Sequence, residues 1–586
     1  MPGGSIARHL GFCPSCCNRV GTSGALGLLF VRSGMEIPVH NDKQLDTATE
    51  HFDDVPRPAS IRRRTSAFWF GLAATTLGTA LHFPMYWESR HMGYHMADMP
   101  MDASMIVGMA LIVVGLVVTA YGLVPVGAQR DQVANLRVRA LDDAPINRVH
   151  VILLLVMAAA ITIDVMKPTT LAFVVPGVAK EYGLKTATNP GGGLPAALLP
   201  LAGITGTVIG SFIWGWLSDR IGRKAAILLA GVFFVATSVC GAMPSFELNL
   251  LMCLIMGISA GGMLPIAFTL LAETIPARHR GWLMVLIGGD IAGAYIITSW
   301  LSATVGDSYG WRVMWLIGFP TGLLTILLTR WIPESPRFLL ALGRRREAEQ
   351  VLRVYNASIT EVEKSELTIE SGVKGGYRRL VQAPFGGITT VLVLVGLGVG
   401  LVVYGFQLWL PTNLRQLGYS GVSADQILRD SALIGFPLNF LVAYCYHRSS
   451  KWTMVILSAL LAVSLFGFVA LGDRIADNKI LLYALLIPPI WGASSVVAVL
   501  VAYGAEVYPT RIRSRGTGLA AGMSKAGGII VLALVVLAVA APSISMTALI
   551  SAVPMTIAAA AGIAFLVETR RRSLEEITAE ELRAIA

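Results

Sequence analysis

Apolar segments of about 20 residues recur along nearly the whole chain and limit its possible folds more than any other feature. Each segment is long enough to cross about 30 Å of hydrocarbon as a helix. The composition agrees, because 54% of the 586 residues are hydrophobic and only 14% are charged. Soluble domains average about a quarter charged residues. The sequence therefore predicts an all-α polytopic membrane protein.

The segments predict fourteen spans: an extra hairpin of two, followed by twelve in two halves of six. A long, charged, helix-capable stretch separates the halves and is typical of a cytoplasmic linker. The predicted parts are a disordered cytoplasmic tail (1–65), the extra transmembrane hairpin (66–127), the N-terminal half (149–332), the linker (333–386), the C-terminal half (387–567) and a cytoplasmic tail (568–586).

The formal net charge of +10 is compatible with nucleic-acid binding or with cytoplasmic loops that retain positive charge. The positions of the basic residues favour the second explanation, because they cluster between apolar spans: Arg62–Arg64, Arg220–Lys224, Arg278–Arg280, Arg344–Arg346, Arg511–Arg515 and Arg570–Arg572. We therefore expect a multi-pass protein of the cytoplasmic membrane, in contact with the lipid bilayer and not with nucleic acid. With fourteen spans, both termini are cytoplasmic.

The two halves contain an internal repeat. Residues 272–281 read AETIPARHRG and residues 505–516 read AEVYPTRIRSRG, and each segment joins the fourth span of its half to the fifth. Duplicated bundles of this kind are expected of transporters that rock one half against the other.

A loop between the second and third core spans, residues 215–224, reads GWLSDRIGRK. With the repeated Glu and Arg-Gly elements, PESPR at 333–337, and Glu568-Thr569 near the end, it resembles the major facilitator superfamily. The resemblance covers about residues 149–580 and is to the sugar-porter-like branch, nearer the aromatic-acid, niacin and organic-ion transporters than true hexose porters. It implies a twelve-helix major facilitator fold in two six-helix halves.

The same resemblance implies an inner gate. Its candidate residues are Gly215, Asp219, Arg220, Gly222, Arg223, Lys224, Glu273, Arg280, Glu334, Arg337, Glu506 and Arg515. Ordinary positive-inside anchoring is the alternative, and it accounts for Arg223 and Lys224 but not for Asp219 or the glycines. The matching loop of the second half, residues 443–452, reads AYCYHRSSKW, with His447 in place of the Asp and Ser450 in place of the Gly. We therefore expect an asymmetric gate.

The seventh core span departs from the pattern of sugar porters. It reads VVYGFQLWLPTNL, with a single Gln407 where those proteins have a Gln-Gln pair. The aromatic residues Tyr404 and Trp409 beside Gln407 favour a small aromatic or heterocyclic acid over a hexose. Packing or lipid contact is the alternative role for the two rings.

Four ionisable residues lie within predicted spans, where charge is costly and usually marks a transport path. Asp164 and Lys167 share one face of the first core span, either as a neutralising pair or as a proton or substrate site, and Lys167 could instead extend to water. Asp290 and Lys525 occupy equivalent positions in the repeat. We expect Lys525 to attract an anionic substrate and Asp290 to bind the coupling proton; a structural ion pair is the alternative.

The loop of the extra hairpin is rich in His and Met, including His91, His95 and Met96, which are weak candidates for a copper site. Packing or partner contact is the favoured alternative, so neither a metal nor any other cofactor is expected.

These features predict a monomeric secondary active transporter rather than an enzyme. It moves a small organic solute, favouring an organic acid or anion, by alternating access, with a proton as the symported ion. Proton-coupled efflux of drugs or metabolites and a non-transporting sensor are the alternatives. Neither a Walker loop nor an H-E-x-x-H sequence occurs, so ATP-driven transport and metalloprotease chemistry lose support.

Overall fold

A computed structural model describes most of the chain from Ala59 to Thr569, and the predicted tail up to residue 58 lies outside it. The described residues are 59–124, 136–137, 144–186, 189, 191–289, 291–342, 344–357, 360–361, 376–407, 410, 413–414, 417–419, 421–509, 512–537 and 543–569. Within this part, eleven helices are long and apolar enough to cross a membrane.

Two long helices precede the core and pack closely against each other. They are α1 (Ala59–Ala80) and α3 (Ala103–Leu123), joined through the short α2 (Phe83–Glu88) and a loop. Glycines permit the close approach, because a Cβ added at Gly78 would lie 2.6 Å from the Gly108 carbonyl oxygen, and one at Gly115 would lie 2.3 Å from Thr75 Oγ1. Both helices lie in the region predicted as the extra hairpin; α3 is among the eleven candidate spans and α1 is not, so the transmembrane hairpin stays a prediction.

The first half of the core contains six helical segments, several of them interrupted. Its helices are α4 (Arg148–Glu181), α5 (Leu198–Ile221), α6 (Arg223–Thr237), α7 (Phe246–Ala260), α8 (Met263–Thr274), α9 (Ala277–Gly288), α10 (Ile291–Leu301), α11 (Asp307–Tyr309), α12 (Val313–Leu316) and α13 (Gly318–Leu328). A 3₁₀ segment, Ser238–Ala242, continues α6, and α7 with α8 forms one candidate span.

The linker contains the short helices α14 (Pro336–Ala341), α15 (Arg345–Val354) and α16 (Tyr377–Leu380). Two-residue strands also pair antiparallel, β1 (Leu136–Arg137) before the core and β2 (Thr360–Glu361) in the linker. Tyr355 follows α15 and packs edge-on against His150 at the start of α4, with ring centroids 4.7 Å apart. The linker is therefore attached to the first half.

The second half has the same order of segments as the first. Its helices are α17 (Gly386–Leu401), α18 (Gly421–Gly435), α19 (Leu438–Arg448), α20 (Ser450–Leu471), α21 (Lys479–Ile487), α22 (Ala493–Val507), α23 (Arg513–Leu537) and α24 (Ile544–Phe565). Two π-helical segments interrupt the pattern, Val402–Phe406 after α17 and Pro488–Gly492 between α21 and α22.

Helices of the two halves meet in at least two regions of the interface. A Cβ added at Gly518 of α23 would lie 2.5 Å from the Ser211 carbonyl oxygen of α5, so these backbones are in direct contact. At the other contact, Gly281 of α9 lies against the ring of Tyr446 in α19, and Gly288 against Ala498 in α22. Small residues thus permit close approach at the surfaces that must slide during a rocking movement.

Candidate functional site: an inner gate and charges at mid-helix

The loop between α5 and α6 turns at Gly222, which has a φ of +102°. This backbone conformation is unfavourable for residues with a Cβ. A Cβ at this position would also lie 2.4 Å from Glu334 Oε2. Glu334 approaches because its Oε1 accepts the backbone N–H groups of Arg223 (2.8 Å) and Lys224 (3.3 Å) at the start of α6. Burial raises the pKa of the Glu334 carboxyl, and the amides oppose that effect. Gly222 and Glu334 therefore fix the turn together.

Glu273 at the end of α8 is the centre of a buried charge network. Its Oε1 lies 3.1 Å from Arg223 Nη2 in the same half and 2.9 Å from Arg513 Nη1 in the other half. The exposed fractions of the Arg513 and Glu273 side chains are 1% and 0%. Arg337 of the PESPR segment also interacts with Glu273 through its charge. The network joins the halves at the end where α8 and the loop before α6 lie.

Asp219 makes longer contacts than Glu273. Its carboxylate lies 3.5 Å from Arg223 and 3.8 Å from Arg515 of the other half, although its side chain is only 6% exposed. Gly215 lies one helical turn before Asp219, and a Cβ there would be 2.6 Å from the Ser514 carbonyl oxygen. Across the same interface, the hydroxyls of Thr269 and Thr517 are 3.1 Å apart. The two halves are therefore in contact at this end of the helices.

Two expectations for the gate need revision. Arg220 is exposed and its guanidinium lies over the Trp216 ring, 4.1 Å from the centroid, so it is outside the network. Arg513, which the motif comparison missed, makes the shorter contact between the halves. The Arg-Gly element of the second half has two residues more than that of the first, so Arg513 is aligned with no motif position. The two-residue insertion is the sequence feature that could have identified Arg513.

The gate of the second half combines hydrogen bonds from hydroxyl groups with one charge interaction across the interface. Glu506 Oε2 accepts the hydroxyls of Tyr446 (2.8 Å) and Thr569 (2.7 Å), and Arg280 of the first half interacts with Glu506 electrostatically. Glu568 Oε1 accepts the backbone N–H of Ser450, at the start of α20, at 2.9 Å. Glu568 therefore has the same role at α20 that Glu334 has at α6.

This equivalence corrects the alignment of the two loops. Ser450 is the first residue of α20, as Arg223 is of α6, and Ser449 is the N-cap residue, as Gly222 is. The sequence comparison had placed Ser450 at the Gly position and His447 at the Asp position, which is wrong by one residue. In the structural register Tyr446, four residues before the helix start, stands where Asp219 does.

Asp164 of the first half and Lys525 of the second half carry opposite charges and interact electrostatically. Asp164 is near the middle of α4 and is 3% exposed. Its carboxylate also interacts electrostatically with Lys167 on its own helix. Its Oδ1 is buried and has no hydrogen-bond partner. The sequence analysis had compared Lys525 with Asp290, because the two occupy equivalent positions in the repeat. Asp290 lies outside the described residues, so its role as a proton site stays a prediction.

Lys167 does not pair with Asp164 or extend to water. Its ammonium donates to the Phe234 carbonyl and the Thr237 hydroxyl, both at 2.7 Å, and lies 4.7 Å from the centroid of the Phe234 ring. These acceptors are at the carboxyl end of α6, where helix carbonyls lack intrahelical partners. Lys167 is therefore a cap for α6, 6% exposed.

Gln407 of the seventh core span contacts the protein rather than open space. Its Nε2 donates to the carbonyls of Pro489 (2.5 Å) and Ile490 (3.3 Å), within the π-helical segment between α21 and α22. Tyr404 packs against Gly528 of α23. Trp409 lies outside the described residues, and its predicted role stays a prediction.

The His- and Met-rich loop does not assemble the candidate ligands. Met96 is fully buried in an apolar cluster, and the His95 ring is bonded to the carbonyls of Met92 (3.1 Å) and Gly93 (3.2 Å). His91 is exposed. Among the described residues, no group of three His, Cys, Asp or Glu side chains could hold a metal.

A Gly-x-Ser-x-Gly sequence, the pattern of hydrolase nucleophiles, occurs at 257–261. Here it serves helix packing. A Cβ at Gly257 would lie 2.1 Å from the Gly203 carbonyl oxygen, and Ser259 is fully buried at the end of α7.

Two similar helical halves, ion pairs that close one end, and opposite charges at mid-helix define a multi-pass transporter of the major facilitator type. Comparison with known proteins identifies the family. Residues 174–580 match the family described as "Sugar (and other) transporter", and the chain belongs to that family.

Curated relatives include two proteins of Acinetobacter baylyi. The niacin transporter NiaP is 27% identical over 403 residues, which cover 67% of this chain and 88% of the relative. The 4-hydroxybenzoate transporter PcaK is 27% identical over 413 residues, which cover 66% of this chain and 85% of the relative. The solved structure of the proton:xylose symporter XylE bound to 6-bromo-6-deoxy-D-glucose has a TM-score of 0.61 at 20% identity, covering 74% of this chain and 98% of XylE. That likeness supports the fold.

Proposed function

We propose that this protein is a secondary active transporter that takes up a small aromatic or heterocyclic carboxylate by alternating access, together with a proton. The observation that carries the proposal is the buried Oδ1 of Asp164, which has no hydrogen-bond partner, together with the opposite charge of Lys525 in the other half, with which Asp164 interacts electrostatically. Intramembrane charges in transporters usually face the substrate path, and duplicated bundles place their sites at the interface of the halves.

The pairing gives a mechanism for coupling. In a low dielectric, one ammonium group cannot neutralise two carboxylates without a large electrostatic cost. When the carboxylate of a substrate binds to Lys525, Asp164 loses its counter-ion and binds a proton. Anion and proton then cross together, and release of both restores the Asp164–Lys525 pair. Asp290 and Trp409 remain candidates for further contacts to the proton and the aromatic ring.

The relatives support the class of substrate. Niacin and 4-hydroxybenzoate, named for two of them, and gallate, named for a third from Pseudomonas putida, are ring compounds that carry a carboxylate. Lys525 suits that group, and the single Gln407 departs from the sugar-porter pattern.

The gate fits the same cycle. Asp219, Glu273, Arg223, Arg513 and Arg515 close the cytoplasmic side, and their separation opens it. The protein works as a monomer in the cytoplasmic membrane, with fourteen spans including the extra hairpin and with both termini in the cytoplasm. The Arg-rich connections support this orientation.

Uptake into proteoliposomes tests the proposal. Vesicles with an alkaline interior are given radiolabelled nicotinate or 4-hydroxybenzoate, and we expect accumulation that a protonophore abolishes. Extrusion from preloaded vesicles would favour efflux instead, and binding without accumulation would favour a sensor. Accumulation of xylose but not of either acid would contradict the substrate class.

Matched variants test the two charges. Lys525→Ala should abolish uptake, whereas Lys479→Ala, at an exposed position, should leave it unchanged. Asp164→Asn should retain exchange of the acid between the two sides but lose accumulation driven by the pH gradient, with the exposed Asp473→Asn as the control. Folded Lys525→Ala protein with normal uptake would refute the assignment.

A further inference from the structure

The loop of the extra hairpin is attached to the first half through Glu181, at the outer end of α4. Glu181 Oε1 accepts the backbone N–H groups of Met96 (2.7 Å) and Ala97 (3.0 Å). The same carboxylate accepts the Trp311 indole N–H at 2.7 Å and lies 2.6 Å from Arg312 Nη2. One side chain therefore joins the hairpin loop, α4 and the segment that leads into α12.

Arg312 extends this connection to a third part of the half. Its Nη1 donates to the Met243 carbonyl at 2.9 Å, between α6 and α7, and its Nη2 donates to the Tyr182 hydroxyl at 2.8 Å. The exposed fractions of the Arg312 and Glu181 side chains are 0% and 2%. A buried ion pair with these hydrogen bonds is costly to break, because either charge would remain unpaired. The outer connections of the first half are thereby held together under the hairpin loop.

The helices of the hairpin pack on the same half. Thr79 of α1 donates to the Val235 carbonyl at 3.3 Å, next to the Phe234 carbonyl that Lys167 caps. The rings of Phe83 and Phe319 meet edge to face, with centroids 5.1 Å apart. One buried apolar cluster contains residues of both: Met85, Tyr86, Met96, Met105 and Ile112 from the hairpin, and Ala236, Val239, Ala242, Met243 and Leu316 from the core.

The second half is contacted differently. The first half meets it through Gly215, Gly281, Gly288 and Gly518, which lie against backbone or side-chain atoms without interlocking side chains of their own. The ion pairs of Arg513 with Glu273 and of Arg515 with Asp219 join the halves at one end. A rocking movement therefore separates the halves at these glycine contacts before it separates the hairpin from α6 and α13.

We propose that the extra hairpin is a fixed part of the first half, with Glu181 as the positioning residue that holds it, and that both move as one body against the second half. The hairpin enlarges the surface by which the first half is anchored in the bilayer, so the second half performs most of the movement relative to the lipid. Nothing in the twelve-helix core requires this addition.

Reversible crosslinking tests the proposal. In a background where Cys13, Cys16, Cys17 and the exposed Cys445 are Ser, Tyr94→Cys and Tyr309→Cys are joined by a short bifunctional methanethiosulfonate, which forms one disulfide with each thiol and releases sulfinate; the two rings are 6.0 Å apart. We expect the crosslinked protein to retain more than half of the uptake of its reduced form. The control joins the halves: Thr269→Cys with Thr517→Cys, whose hydroxyls are 3.1 Å apart, should lose uptake at least tenfold and regain it on reduction. Loss of uptake on crosslinking Tyr94→Cys to Tyr309→Cys, restored by reduction, would overturn the proposal.

The uptake measurement rests on the proposed function, so a distance measurement separates the two. Spin labels are placed at Trp87 in the hairpin, Glu247 in the first half and Ile480 in the second, all exposed. Arg513→Gln is used to open the cytoplasmic side. The distance from Trp87 to Glu247 should stay constant while that from Trp87 to Ile480 changes. A change from Trp87 to Glu247 as large as that to Ile480 would overturn the fixed hairpin, whatever the protein transports.

The role of Glu181 has its own readout. Glu181→Ala should lower the yield of the crosslink between Tyr94→Cys and Tyr309→Cys severalfold, and Glu181→Gln, which keeps an acceptor oxygen for Met96 and Ala97, should restore most of it. Equal yields in the alanine variant and the parent would show that Glu181 does not position the loop.

Discussion

Replacing Arg513 by Gln should open the cytoplasmic side of the transporter. The Arg513–Glu273 contact of 2.9 Å joins the halves and exists only while that side is closed. Glu273 keeps Arg223, of its own half, at 3.1 Å, so the variant does not leave a buried carboxylate without a partner. The substitution therefore acts mainly on the equilibrium between closed and open states.

The expected size follows from the chemistry of the contact. A hydrogen bond to a charged group contributes about 1.5–3 kcal/mol, which corresponds to a factor of about ten to a hundred in the equilibrium. The open fraction should rise by that factor until the open state dominates. A double-mutant cycle with Glu273→Gln isolates the contact, and we expect a coupling energy of the same size.

The assay is alkylation of a buried cysteine at the contact between the halves. Ser211→Cys is nearly isosteric, and Ser211 is fully buried on α5, where its carbonyl faces Gly518. An impermeant maleimide, applied from the cytoplasmic side, should react about ten to a hundred times faster in the Arg513→Gln background. Arg345→Gln is the control, because the Arg345–Glu349 pair lies on the exposed face of α15. Unchanged alkylation in folded Arg513→Gln protein would refute the reasoning.

Three further predictions concern stability, measured by thermal unfolding in detergent. Glu334→Ala removes the acceptor at the start of α6 and should lower the free energy of unfolding by about 0.5–2 kcal/mol. Glu334→Gln should cost little, because burial already raises the pKa of this carboxyl and the amide oxygen still accepts the backbone N–H groups. Equal losses of stability in both variants would contradict the capping role. Gly222→Ala should destabilise strongly, since φ is +102° and Glu334 Oε2 would lie 2.4 Å from the new Cβ, whereas Gly193→Ala, with no atom within 4 Å, should be neutral. Tyr446→Phe removes a hydrogen bond to the buried Glu506 and should lower the free energy of unfolding by about 1–3 kcal/mol. Tyr444→Phe, at an exposed position, is the control. An equal loss of stability in both variants would contradict a contribution from the Tyr446–Glu506 bond.

Much of the architecture was predictable because it follows from hydropathy and local motifs. Apolar length predicted the spans, and the repeated Glu and Arg-Gly elements predicted that Glu273 and Glu506 lie at equivalent ends of the halves. Their buried positions agree with that equivalence. Contacts between residues far apart in the sequence were harder to predict. The periodicity of apolar residues indicates which face of a helix is polar, but it does not indicate which residues that face contacts. The Asp164–Lys525 pairing is of this kind.

Lys167 illustrates the limit. Its spacing of three from Asp164 on one helix face allowed a neutralising pair, a proton or substrate site, or extension of Lys167 to water. The 3₁₀ segment Ser238–Ala242 ends the regular hydrogen bonding of α6 and frees carbonyls nearby, and these bind the ammonium instead. Nothing in the sequence near Lys167 reports that break, since it lies about 70 residues away in a different span. The error in the loop register has a similar origin, because only the positions of Glu334 and Glu568 reveal where the following helices start.

Because the two gates differ in their contacts, we expect the loop before α6 and the loop before α20 to respond differently when the cytoplasmic side opens. Attraction between charges falls as water enters and the local dielectric rises, so the contacts of Arg513 and Arg515 with the first half weaken as soon as they begin to separate. The bonds of Tyr446 and Thr569 to Glu506 lie within the second half, and only the interaction of Arg280 with Glu506 crosses the interface there. We therefore expect the loop before α20, held by Glu568, to stay ordered as the halves separate. The loop before α6 loses its partners from the other half, and Arg223 then becomes the main counter-ion for both Asp219 and Glu273. The opening at the loop before α6 is consequently cooperative, because each broken ion pair weakens the next one.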